Sequence, residues 1–202
     1  MALRIAVLLS GSGTTLENLV SCIEVGTLDA EIAAVVATRA DAFGLERARR
    51  HGLPAHAVPR KDYADAGAFN EAIHAILDAA KPDLLVLAGF LSKLELRGYD
   101  AMNIHPALIP ALSGQGFYGA RVHRSVLESG VKVTGATVHF CNEEYDQGPI
   151  ILQESVPVLE DDTVETLAER VHQLEFELYP RAIQLFAEGR LQVEGRRVRI
   201  RG

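Results

Sequence analysis

Leu3-Arg4-Ile5-Ala6-Val7-Leu8-Leu9, followed by Ser10-Gly11-Ser12-Gly13-Thr14-Thr15, decides the fold class. The first seven residues form a short, nearly continuous apolar run, the pattern of a strand buried on both faces of a parallel sheet. Glycines then break it, and Leu16, Leu19, Val20 and Ile23 resume at helical spacing. Thr14-x-x-Glu17 has the form of a capping box at that helix start. The alternation continues. Glu31–Thr38 reads as a second strand and Phe43–Arg50 as a short helix ending at Gly52. Pro54–Val58 reads as a weak strand, and Phe69 to Leu77 as a helix stopped by Lys81-Pro82. Leu84–Ala88 is a further buried strand. Such βαβ alternation predicts an α/β fold, a doubly wound, mostly parallel sheet with a Rossmann-like N-terminal half.

The second half is less regular. Met102–His105 reads as a short strand, Ser113–Gly119 as a glycine-rich loop and Arg121–Ser129 as a helix. Gly135–Phe140 and Ile150–Val158 read as strands joined by an acidic turn. A long helix begins at Thr163, and Pro180 is expected to kink or restart it. Leu191–Val193 and Val198–Ile200 flank Glu194-Gly195 as a terminal hairpin. Its four arginines, Arg196, Arg197, Arg199 and Arg201, read as a solvated face.

Composition narrows the function classes. The 202 residues suit one domain. At 48% hydrophobic and 23% charged, the chain is no disordered segment. A net charge of −7 argues against a general nucleic-acid or membrane-surface binder. Cys22 and Cys141 have no C-x-x-C partner, so no zinc knuckle, redox pair or disulfide framework is expected. With no apolar run of membrane-spanning length and no signal-peptide pattern at Met1–Ile5, the expectation is a cytoplasmic protein.

Three motifs carry chemistry. Ser10–Thr15 links a strand to a helix, where glycines admit a ligand to the backbone and the helix terminus favours an anion. It is no Walker A loop, since it lacks the lysine. It fits only half of a dinucleotide fingerprint, because Leu16 occupies the third glycine position; Thr38-Arg39 at the end of strand two suits only a 2′-phosphate. In Asn103-Ile104-His105-Pro106, the Asn and His stand at i and i+2 of a strand and project to one side. An amide donor can stabilise an oxyanion and an imidazole can move a proton. Asp146-Gln147-Gly148-Pro149 is ordinary turn chemistry unless Asp146 meets His105, whose orientation and basicity it would then control. Of the other histidines, His51, His56 and His74 read as surface residues beside helix ends, and His139 as core or lining. His123 follows the glycine-rich loop, within range of a cleft. His172 and Glu175 share one helical face.

Five motifs occur together and in order: Ser10–Leu16, Ala40–Ala48, Leu87-Ala88-Gly89-Phe90, Asn103–Pro106 and Tyr145–Ile151. The set closely resembles the glycinamide ribonucleotide transformylases, over nearly the whole chain to about Gly189. The resemblance implies a formyltransferase fold in one domain, residues 1–202. Residues 1–100 would form a phosphate-binding half, 101–190 a catalytic and folate-binding half, and 191–202 a C-terminal hairpin.

The resemblance also implies a reaction. 10-Formyltetrahydrofolate, as co-substrate, would donate its formyl group to the amine of glycinamide ribonucleotide in purine synthesis, with no metal. Asn103 and His105 would hold the oxyanion, His105 would move the proton, and Asp146 would orient and charge-balance it. A protonated His105 paired with Asp146 would be the strongest oxyanion partner. Gly13, Thr14, Thr15 and His172 would take the phosphate and Glu175 the ribose hydroxyls. His172 stands where relatives usually have glutamine. The folate would meet Phe90, Leu94, backbone groups from Ala136 to Glu144, and Asp146. Two segments depart from the common pattern: Phe90–Asn103 is shorter, with Ser92-Lys93 where a basic residue is usual first, and Ser113–His123 is longer, with a glycine-rich stretch expected to act as a lid. The expected partners are small molecules, with neither nucleic acid nor membrane, and the chain a monomer or homodimer. Competing readings are a sister folate-dependent transferase or hydrolase, disfavoured by length, and a non-enzymatic NADP-type nucleotide-binding module.

Overall fold

The computed structural model describes residues 1–202, which divide into two compact units, Met1–Met102 and Asn103–Gly202. In the first unit, β1 (Leu3–Leu9) is flanked by β2 (Ala30–Ala37) and β4 (Leu84–Leu87), both parallel to it. Strand neighbours on both sides explain the continuous apolar run: Ile5 to Leu9 are fully buried. The short β3 (Ala55–Ala57) adds to the far side of β2. It is narrower than the predicted Pro54–Val58.

Helices α1 (Thr14–Glu24), α2 (Phe43–Arg50) and α3 (Ala66–Ala80) connect these strands. Each buries its apolar stripe: Leu16, Leu19 and Val20 on α1, Leu45 and Ala48 on α2, Phe69, Ile73 and Leu77 on α3. Full burial of one such side chain contributes roughly 1.5–3 kcal/mol. The helix α3 starts at Asp65, whose side chain accepts the Ala68 N–H, and ends at Lys81 in the left-handed conformation before Pro82. On α3, His74 is not a surface residue. It is buried, its ring stacks on Tyr99, and Nε2 donates to the Glu95 carbonyl at 2.7 Å.

The second unit contains most of β5 (Ala101–His105), then α4 (Ala120–Ser129), β6 (Val133–Phe140), β7 (Ile150–Pro157), α5 (Val164–Ala187), β8 (Leu191–Glu194) and β9 (Arg197–Ile200). β6 and β7 form an antiparallel pair, β9 runs parallel to β7, and β8–β9 is the expected hairpin. The fold is therefore α/β with a mostly parallel sheet, the antiparallel pairs confined to the second unit. The hairpin's arginines lie exposed, with Arg199 paired to Glu194 and Arg201 to Gln192. Both cysteines are unpaired. No helix is long and apolar enough to cross a membrane.

Helix α5 runs without interruption through Pro180, so the expected restart does not occur. Its stripe of Leu167, Val171, Leu178, Ala182 and Ile183 is buried along the whole length. That packing outweighs the hydrogen bond a mid-helix proline forfeits. At its start, Thr163 and Thr166 form a reciprocal capping box. Just before it, the Asp162 carboxylate accepts two hydrogen bonds from Arg170, at 2.7 and 2.8 Å, one from the Leu159 N–H and one from the Thr166 hydroxyl. The Arg170 bonds foremost hold the Asp162 carboxyl well below the usual carboxylate range. A carboxyl group depressed on folding stabilises the fold above its unfolded pKa and loses that contribution as pH falls through the folded value. Asp162→Asn is expected to lose about 1.5–3 kcal/mol at neutral pH, the range for hydrogen bonds to charged groups. In urea unfolding of both proteins, the deficit should shrink progressively below about pH 4, the unfolded carboxyl value.

Candidate active site

The turn after β1 is built by backbone packing as much as by any ligand. Gly13 caps α1 at φ 74°, and a Cβ there would lie 2.5 Å from the Gly44 Cα. The Gly44 N–H donates to the Gly11 carbonyl at 3.1 Å, and the Arg47 Nε donates to the Ser12 carbonyl. Two helix N-termini are thus drawn together at one loop. The expected Thr14–Glu17 capping box does not form. No side chain caps α1, because Glu17 is engaged by Arg47 at 2.8 Å and His51 at 2.9 Å. The first-turn N–H groups, including those of Thr14 and Thr15, have no carbonyl four residues back to bond. Thr14 is exposed and Thr15 half-buried, an arrangement suited to an anion.

Elsewhere in the first unit, Ser10 Oγ lies 2.7 Å from Thr38 Oγ1 and accepts the Leu91 N–H at 3.0 Å. This fixes the chain beside Phe90, which is half-buried, as is Leu94. Arg39 borders a groove of about 720 Å³ with Arg60 and Lys61, but its guanidinium makes two bonds to Asp41. That carboxylate stands where a 2′-phosphate reading needs an unopposed cation.

In the second unit, the turn from Cys141 to Pro149 carries Asp146 back onto the end of β5. Asp146 itself adopts φ 54°. Gly148 packs so closely that a Cβ would fall 1.7 Å from the Phe140 carbonyl oxygen, and the Phe140 N–H closes the turn onto Pro149. The result is the contact the motif required. Asp146 Oδ2 lies 3.5 Å from His105 Nδ1 and accepts the Gly114 N–H at 2.9 Å. Asp146 Oδ1 accepts from Asn103 Nδ2 at 3.4 Å and lies 3.6 Å from His139 Nε2. Asn103 Nδ2 is also 3.3 Å from His139 Nε2. His139 Nδ1 donates to the Phe140 carbonyl at 2.8 Å, which fixes the ring.

His105 is 3% exposed, and its Nε2 donates to the Leu112 carbonyl at 2.9 Å. Burial pushes its pKa below the ordinary histidine value, against the opposite pull of Asp146 and the Leu112 carbonyl. The imidazolium expected from the sequence is therefore not the favoured resting form, because desolvation outweighs the carboxylate. Asp146 is also buried, which opposes its charge. The His139 contact, the nearby His105 and the Gly114 N–H more than offset this and hold its carboxyl below the ordinary value. A carboxylate thus faces an uncharged imidazole.

On α5, His172 Nε2 lies 3.5 Å from Glu175 Oε2, and the His172 ring stacks on Phe176. His172 is exposed, whereas Glu175 is buried and its carboxyl is pushed up to about 8. They are not the plain surface pair that spacing alone suggests. Ala136 is fully buried, so only its backbone can meet a ligand, and Glu144 is exposed. No group of three or more His, Cys, Asp or Glu side chains is placed to hold a metal ion.

Several participants escape sequence reasoning. His139 touches Asp146 as closely as His105 does, and its only sequence signal was its place at the strand end before the acidic turn. Gly114 N–H and Leu112 O act through backbone, which no side-chain motif reports. Thr137, fully buried on β6, donates to the Ala107 carbonyl at 2.6 Å and accepts the Ile109 N–H at 3.2 Å. Gln153 on β7 donates to Thr137 Oγ1 and to the Ile109 carbonyl. This pair pins the segment that follows His105.

Residues 3–183 match the family model described as Formyl transferase. The Escherichia coli protein named phosphoribosylglycinamide formyltransferase is 38% identical over 197 residues, which cover 95% of this chain and 90% of that protein. A Gallus gallus protein named trifunctional purine biosynthetic protein adenosine-3 is 44% identical over 195 residues, 94% of this chain. The chain spans 19% of the length of that relative. The crystal structure of glycinamide ribonucleotide transformylase 1 from Symbiobacterium toebii superposes with a TM-score of 0.93 at 46% identity, over 100% of this chain and 95% of that one. The chain belongs to the formyl transferase family.

Proposed function

We propose that this protein transfers the formyl group of 10-formyltetrahydrofolate to the amine of glycinamide ribonucleotide, as one cytoplasmic domain acting on small molecules in purine synthesis. The observation that carries the reading is the convergence of Asn103 and His105 on the Asp146 carboxylate. The names of the Escherichia coli and Symbiobacterium toebii relatives supply the substrate.

The amine lone pair attacks the formyl carbon, a C–N bond forms, and the carbonyl electron pair moves to oxygen. Asn103 Nδ2 donates to that oxyanion. His105, held neutral by burial, takes the proton the attacking nitrogen must lose. The resulting imidazolium faces Asp146, whose negative charge stabilises it at the moment it forms. The tetrahedral carbon then expels N10 of the folate with the bonding electron pair, and His105 returns the proton to that nitrogen. Protons balance across the cycle. Gly13, Thr14 and Thr15 receive the ribose phosphate through backbone N–H groups, aided by His172, and Glu175 bonds the ribose hydroxyls. Phe90, Leu94, the backbone of Ala136 and the segment to Glu144 take the folate.

Before His105 Nε2 can take a proton from a substrate, its bond to the Leu112 carbonyl must break and the ring proton must sit on Nδ1, toward Asp146. Leu112 sits at φ 50°, and the residues after it include Gly114 and Gly116, both at positive φ. The segment 112–119 is therefore expected to rearrange when both substrates are bound, and hydrogen exchange of its amides should change on binding. Unchanged exchange would show that the loop is fixed.

His105→Ala and Asp146→Asn are each expected to lower kcat by about a hundredfold or more, the typical effect of removing one such electrostatic group. Full activity in both would remove this trio from the mechanism. The free protein offers a second check, since Asp146 opposes the burial-driven fall in the His105 pKa. An NMR titration should find His105 titrating below the usual histidine range, and Asp146→Asn should lower it further.

A further inference from the structure

One buried imidazole has no part in this scheme. His123 lies in the first turn of α4, directly after the glycine-rich loop, and is 2% exposed. Its Nδ1 is the one buried side-chain nitrogen or oxygen in the protein without a hydrogen-bond partner. Native proteins seldom leave such an atom unpaired, because it gave up water for nothing in return. The surroundings show what can complete it. The His172 ring lies edge-on, with centroids 6.4 Å apart, and His172 in turn contacts Glu175 at 3.5 Å. His105 is also near enough to act on the His123 ring electrostatically. His123 thus neighbours His172, assigned above to the phosphate, whose own partner Glu175 is assigned to the ribose. The part of the acceptor that joins ribose to reactive nitrogen is the glycinamide segment, –NH–CO–CH2–NH2, which offers N–H donors and a carbonyl acceptor.

We propose that His123 Nδ1 hydrogen-bonds the glycinamide segment of the acceptor and so selects and positions the nucleophile against the formyl carbon. The proposal rests on the function proposed above. Burial, with repulsion from His172 and His105, pushes the His123 pKa down to about 4. At neutral pH the ring is then uncharged, and it does not compete with His105 for the amine's proton. The contact explains why a polar ring is kept at a position where an apolar one would pack without leaving an orphaned nitrogen.

Two variants separate substrate contact from packing. His123→Phe keeps a flat buried ring and removes both nitrogens, while His123→Asn keeps a polar atom near the Nδ1 position. His123→Phe is expected to melt at or above the wild-type temperature. Its kcat/KM for glycinamide ribonucleotide should fall roughly tenfold or more, the scale of one buried hydrogen bond. KM for 10-formyltetrahydrofolate should stay near wild type, and His123→Asn should recover part of the loss. A His123→Phe enzyme with wild-type kcat/KM for the acceptor would make His123 a core residue and overturn the proposal. A variant-free check uses wild-type protein with 15N-labelled histidine: adding glycinamide ribonucleotide alone should shift the His123 Nδ1 resonance, and an unmoved signal overturns the proposal. Wild-type protein that transfers no formyl group to glycinamide ribonucleotide, while binding it with that shift, would defeat the functional reading and leave the contact standing.

Discussion

The Asp146 carboxylate accepts the Gly114 N–H at 2.9 Å, lies 3.5 Å from His105 Nδ1, and is reached by Asn103 and His139 through its other oxygen. Four segments of the second unit are thereby registered against a single buried charge: the end of β5, the end of β6, the loop after Pro110 and the turn that carries Asp146. Burying a carboxylate is costly unless its lone pairs are filled. Here they are filled partly by Asn103 and His105, the groups proposed above to carry the formyl transfer. Holding the charge and orienting the chemistry are one arrangement, and a change that disturbs either disturbs both.

That arrangement also sets the protonation logic. The two nitrogens of His105 both face acceptors, Asp146 on one side and the Leu112 carbonyl on the other. A neutral ring can donate to only one of them. Burial nonetheless favours the neutral ring at rest. With the ring proton on Nδ1 toward Asp146, Nε2 is open to the proton of the attacking amine in the proposed reaction, and the imidazolium so formed is already paired with a carboxylate. A permanently charged imidazolium would be the better oxyanion donor but could not take that proton. The resting protonation of His105 fits the proposed base role first and the charged role only after proton transfer.

The first unit was the easier half to read from sequence, for a physical reason. Its strands are flanked on both sides, so their composition is uniformly apolar, and each helix shows a full stripe; Leu3–Leu9 and Leu84–Leu87 could hardly be anything else. Boundaries were harder where tertiary contacts won. Glu17 leaves its expected cap because Arg47 and His51 offer a charged partner, and α5 ignores Pro180 because its stripe is buried on both sides of it. His74 looked like a surface residue because nothing local reveals Tyr99 or the Glu95 carbonyl. In the candidate site, the shared side of Asn103 and His105 was legible because i, i+2 spacing fixes it. Asp146 was legible only conditionally, since a turn aspartate before glycine is common. His139, Thr137, Gln153 and the backbone groups of Leu112 and Gly114 act through long-range packing that no spacing rule encodes.

Net charge does not decide the proposed ligands, for a reason that lies in the loop after β1. A chain of charge −7 is proposed to hold a phosphate and a folate, both anionic. The phosphate is to be met by N–H groups at an uncapped helix start, which carry no formal charge and leave the net balance untouched. Arg47, which bonds the loop at the Ser12 carbonyl, is already committed to Glu17, and Arg39 to Asp41. The close approach of Gly13 and Gly44 shapes the loop: a side chain at Gly13 would strike the Gly44 backbone, and one at Gly44 would strike the Leu9 side chain. As proposed, such a loop suits one small terminal anion, whereas the affinity of a long polyanion rises with the number of charges it can pair. A net negative charge and the proposed phosphate loop are therefore compatible, because the loop would meet its anion without formal charge.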